Sequence, residues 1–131
     1  EWSALAPCRC VTMPCQSVPL LDADDIAQAR GYIEQLQSET RHAEIGQLNR
    51  LLHMTLYSKA PNQRLLRLVE DGLNEEERFL RFNLEAMGLG KLSQDDHRAL
   101  LQSAQARDIE HTVQLLEQHR AAVAIFGLRQ L

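Results

Sequence analysis

The sequence predicts an all-α protein, an antiparallel bundle of about five to six helices. Three observations lead there. After Leu21 the residues are mostly Leu, Ala, Glu, Gln and Arg, which are strong helix formers. Pro61 is the only proline between Leu21 and Leu131. Apolar residues recur at spacings of three and four, with recognisable start and stop signals and no strand-like alternation.

The first twenty residues behave differently. They carry Pro7, Pro14 and Pro19 and no clear period, so they read as an irregular segment with at most a short helix between the prolines. Residues 21–131 form the helical domain. Its first helix starts near Asp22, with Asp24 and Asp25 favourable in the first turn, and runs to about Glu39. The second covers Arg41–Lys59. Pro61 breaks the chain, and Asn62 can cap a long third helix over Gln63–Met87, which ends at Gly88 and Gly90. The fourth is expected from Ser93 as N-cap to Ala106, and the fifth from Asp108 to Phe126, before Gly127. Short connections make successive helices antiparallel neighbours, and a bundle core is where facing side chains can build a cofactor site.

The bulk numbers agree with one domain. In 131 residues, 44% are hydrophobic, enough for a real core, and 24% are charged, as in ordinary globular proteins. A net charge of −4 without a basic stripe makes these residues a poor nucleic-acid binder by themselves. No apolar run reaches the ~18 residues of a membrane span. The chain opens at Glu1 rather than Met, as a fragment or processed chain does, and its start does not read as a secretory signal. Cys8, Cys10 and Cys15 are an odd set with no disulfide framework, which fits a reducing cytoplasm. Their spacing matches no familiar zinc module, and incidental thiols describe them best.

The chemistry lies in polar residues on apolar faces. On the second helix Ile45, Leu48, Leu52 and Leu56 form the inward stripe; Asn49 falls within it and His53 at its edge, one turn apart. On the fourth helix His97 shares a face with Leu100, Leu101 and Ala104. On the fifth, His119 lies within the stripe of Thr112, Leu116, Val123 and Phe126. One such histidine is more often a hydrogen-bonded core residue than a ligand. Three on three helices, with an amide, point to a shared divalent metal, because each buried imidazole needs a partner. Imidazole suits zinc, nickel, copper or iron. The third helix carries Glu76 and Asn83 on the stripe of Val69, Leu73, Leu80 and Met87. Either they line a polar pocket and touch a ligand, or this level of the helix faces solvent, or Glu76 meets an arginine. The run Glu75-Glu76-Glu77-Arg78 is otherwise a solvated face, and His42 and His111 read as surface residues.

Three segments resemble the FCD domain, the C-terminal effector domain of the FadR-type branch of GntR-family transcription regulators. They are LNRLLH over 48–53 with LYSKAPN over 56–62 and RLL over 64–66, DHRALL over 96–101, and QLLEQH over 114–119. The separations of the four polar positions, 4, 44 and 22 residues, are also similar to those of the family's Asp, His, His, His metal set. The likeness covers about residues 22–126. It implies an antiparallel FCD-like bundle that binds zinc or nickel through His53, His97 and His119, with Asn49 where the family usually has Asp. An amide oxygen can ligate but brings no charge. It also implies a small organic-acid effector bound beside the metal, a homodimer, a cytoplasmic location and no enzymatic activity; Glu76 and Asn83, from their place on the third helix's stripe, are the candidate effector contacts. DNA is then contacted through a winged-helix domain, which is not within these residues. Residues 1–20 only faintly resemble the family's first helix, with Glu1, Ala4, Leu5, Met13 and Pro14 as traces of it. Two other functions compete: a metal-dependent enzyme using a three-histidine site, with Glu76 the single candidate base, and a structural or metal-free oligomerisation bundle.

Overall fold

The computed structural model describes residues 16–87 and 94–128, with no side-chain description for Leu80, for residues 83–87 or for residues 120–128. The cysteines, Gly88, Gly90 and Ser93 lie outside the described residues. Five α-helices follow a short 3-10 turn at Val18–Leu20: α1 Ala23–Ser38, α2 His42–Tyr57, α3 Gln63–Met87, α4 Asp95–Gln105 and α5 Ile109–Leu128. Among the described residues there is no strand, and no helix is long and apolar enough to cross a membrane.

Each helix begins for a local reason. Asp22 accepts a hydrogen bond from the Asp25 amide at 2.9 Å while the Asp25 carboxylate accepts from the Asp22 amide at 3.0 Å, a reciprocal capping box at the start of α1. Lys59, at the far end of α2, places its ammonium 3.5 Å from each of those carboxylates. The turn into α2 is set by Glu39, which accepts from the Arg41 guanidinium and from the amides of Thr40 and Arg41. The Arg41 side chain, and then its backbone, hold the Glu39 carboxyl down to about 2. Asn62 caps α3 as expected, accepting from the Leu65 amide at 3.0 Å. α5 is entered through Asp108, whose side chain accepts from the His111 amide. α5 also continues past Gly127, beyond the expected end; glycine in a helix costs only about 1 kcal/mol.

The core is one cluster, built from Ile26, Ala29, Ile33 and Leu36 of α1, Ile45, Leu48, Leu52 and Leu56 of α2, Leu100, Leu101 and Ala104 of α4, Leu116 of α5 and Leu73 of α3. α2 packs against α1 on one side and α3 on the other; α4 packs on α1 and α5. Ser17 and Val18, ahead of Leu21, are also buried, and the Ser17 hydroxyl accepts from the Lys59 amide. α2 and α3 approach closely at Gly46. A Cβ there would sit 2.9 Å from the Glu77 Cγ and 3.3 Å from the Glu77 carbonyl oxygen. One turn on, Arg50 donates to Glu77 at 2.7 Å across the same contact.

The corner between α4 and α5 is unusual in its chemistry. Arg107 adopts a left-handed conformation with φ of 61°, a place that glycine normally fills. The amide of Asp108 reaches the Ser103 carbonyl at 3.1 Å and that of Arg107 reaches the Ala104 carbonyl at 3.0 Å, so the helix end closes as a Schellman motif. The arginine has a side chain to use there. Its guanidinium donates to the carbonyls of Val18 and Leu21, tying the corner to the turn that precedes α1.

Candidate metal centre

His53, His97 and His119 meet at one point. His53 comes from the second half of α2, His97 from the first turn of α4 and His119 from the middle of α5. Their ring centroids are 5.5 Å apart for His53 and His97, 5.6 Å for His53 and His119, and 5.1 Å for His97 and His119. One ring nitrogen from each can be chosen so that all three lie within 4.8 Å of one another. His53 and His97 are buried and His119 is half-buried. The Nε2 of His97 is enclosed and has no hydrogen-bond partner among the described residues. Such an orphaned acceptor is expensive in a protein interior unless something occupies the space beside it.

The donor set fits a divalent transition metal. At about 2.1 Å per bond, a tetrahedral zinc separates its ligand nitrogens by about 3.4 Å, so the cluster needs to contract only modestly around an ion. Ligating histidines must be neutral. Burial, reinforced by the charge of His119 and opposed by Asp96, lowers the His97 pKa to about 4, so at neutral pH its ring retains a lone pair.

Two neighbours lie against the rings from outside, one within hydrogen-bond distance and one beyond it. The Nδ1 of His97 lies 2.8 Å from the amide oxygen of Gln94, which is itself buried. The Nδ1 of His119 faces the Asp96 carboxylate at 3.6 Å, and that carboxylate is 73% exposed. Neither neighbour stood out in the sequence as part of the site. Asp96 appears there only as the first residue of DHRALL, and Ser93 reads as the N-cap. The residue in the N-cap position is Gln94, which makes no side-chain cap to the helix backbone. A glutamine three residues before an inward histidine, on the same helical face, was the available signal.

The remaining expected residues divide. Asn49 is buried on α2, one turn before His53. Glu76 is half-buried on α3 and is not a member of the three-histidine group. Asn83 lies on α3, but its side chain is outside the described residues. In the acidic run Glu77, read as solvated, meets an arginine, because α3 turns that residue toward Arg50 of α2. Glu75 and Arg78 are exposed, as a solvated face implies, and they pair there. His111 is exposed and His42 half-buried.

The comparisons with known proteins agree with this architecture. Residues 15–122 match the family model described as the FCD domain. A solved structure, described as a transcriptional regulator (GntR family member) from Pseudomonas syringae pv. tomato str. DC3000, is 56% identical with a TM-score of 0.82, over 90% of this chain and 51% of that one. The chain thus spans about half the length of that relative. No curated protein matches it.

Proposed function

The chain belongs to the FCD-domain family, and from that premise we propose that it is the effector-sensing and dimerisation domain of a bacterial GntR-family transcription regulator, built around a divalent metal. The observation that carries this reading is the convergence of His53, His97 and His119 from three helices, with a buried His97 nitrogen that has no hydrogen-bond partner among the described residues. His53, His97 and His119 are the proposed ligands, with zinc or nickel the metals suited to imidazole and Asn49 the fourth candidate. When bound, the ion supplies a concentrated positive charge that a carboxylate can coordinate.

The protein's own residues account for the selectivity. As metal ligands, three imidazoles and an amide oxygen are all neutral donors, so nothing in the donor set cancels the charge of the ion, and an anionic effector is favoured over a neutral one. Glu76 and Asn83 on α3 are the proposed effector contacts beyond the metal. Binding regulates only if the effector prefers one of two packings of the bundle. In a homodimer that preference is passed on to a winged-helix domain outside residues 1–131, which contacts DNA in the cytoplasm.

The test is metal analysis of protein purified without chelator or imidazole, followed by thermal melting with a panel of small carboxylates. The expected result is a stoichiometric transition metal that is lost in His97→Ala, and a rise in melting temperature with at least one carboxylate only when metal is present. Protein that holds no metal, and whose melting no carboxylate changes after reconstitution, would overturn the reading.

A further inference from the structure

We propose that Gln94 is a positioning residue for the metal site: its side chain fixes the tautomer and tilt of His97 so that Nε2 faces the other two histidines. This rests on reading the three histidines as a metal centre.

The geometry leaves the His97 ring little choice. An amide oxygen only accepts, so the 2.8 Å contact requires the proton on Nδ1. The lone pair is then on Nε2, the buried nitrogen that has no hydrogen-bond partner among the described residues. Gln94 is 2% exposed and His97 is 3% exposed, so water does not compete for the bond. The position of Gln94 supports the assignment. N-cap positions favour Asn, Asp, Ser and Thr, whose short side chains reach the free amides of the first turn. Here the N-cap has a longer side chain that does not cap the helix and reaches a ring one turn on. The helix forgoes a local stabilisation, and the histidine gains a fixed orientation. A ligating imidazole whose far nitrogen is held in this way is both oriented and more basic.

The experiment combines zinc affinity, by competition with a chromophoric chelator, with imaging of the His97 tautomer by imidazole nitrogen NMR in metal-free protein. Wild-type protein is compared with Gln94→Leu, which removes the acceptor, and Gln94→Glu, which keeps one. The proposal expects the Nδ1–H tautomer in the metal-free wild type. It also expects zinc binding weakened about 10–100-fold in Gln94→Leu, and affinity at or above wild type in Gln94→Glu. Helical circular dichroism should be unchanged. If Gln94→Leu does not fold, the tautomer and Gln94→Glu decide the matter. Tight zinc binding by the wild type together with an Nε2–H tautomer, or with a Gln94→Leu variant that binds as tightly, overturns this role alone. A wild type that takes no zinc overturns the metal centre, and the positioning role with it.

Discussion

Helices α2 and α3 pack against each other and show the same kind of three-and-four apolar spacing, but they end in opposite environments. α2 lies between α1 and α3 and buries Asn49, His53 and Thr55 together with its leucines. Among the described side chains of α3 only Leu73 is buried, while Leu68, Phe79 and Phe82 are exposed. A polar group on the stripe of α2 has lost its water and must be compensated inside the protein. One on the stripe of α3, such as Glu76, is only half withdrawn. Polar residues in apolar stripes therefore point to a site when the helix is covered on both sides, and much less so when one neighbour covers it.

Substitutions should expose this difference, and the largest effect belongs to α2. Leu52 is 1% exposed, and Leu52→Ala should destabilise the protein by about 2–5 kcal/mol in urea unfolding. A loss below 1 kcal/mol (about what a surface change gives) would show that α2 is less enclosed than its burial implies.

Acid comes next. The His97 pKa is about 4 in the fold against 6.5 for the free side chain, because burial disfavours the charged ring. The unfolded chain therefore takes up a proton that the fold refuses. Metal-free protein should lose stability as pH falls from 6.5 toward about 4, by up to about 1.4 kcal/mol per pH unit from this group, and the loss should level off below that. Denaturation midpoints across that range check the slope, and His97→Gln should flatten it. A slope that survives the substitution would assign the effect elsewhere.

The smallest effect should be on α3. Phe82 is 67% exposed, and Phe82→Ser should leave stability within about 0.5 kcal/mol of wild type. A loss approaching that of Leu52→Ala would show this face of α3 covered in solution and would erase the contrast.

The same contrast explains what could be read from the sequence. The five helices were legible because Asp22, Pro61 and Asn62 act within a few residues of where they stand, and α3 starts at the expected residue, Gln63. His97 and His119 were legible because each shares a face with clear core positions; His53, at the edge of its stripe, is nonetheless buried. Gln94 and Asp96 were not, since what each touches depends on how α4 and α5 are placed. The pairing of Glu77 with Arg50 depends likewise on the close approach at Gly46, which no helical wheel shows.

The left-handed corner at Arg107 has a mechanical consequence. It is the elbow of two rigid arms, with His97 about 12 Å along one and His119 about 15 Å along the other. At that reach, a swing of only about 5° at the elbow moves one ring relative to the other by about 1 Å, whereas metal–ligand bonds tolerate about 0.2 Å. An elbow that is strapped by its own side chain to the carbonyls of Val18 and Leu21 has little play, so the accuracy of the histidine cluster is set at a joint far from the rings themselves.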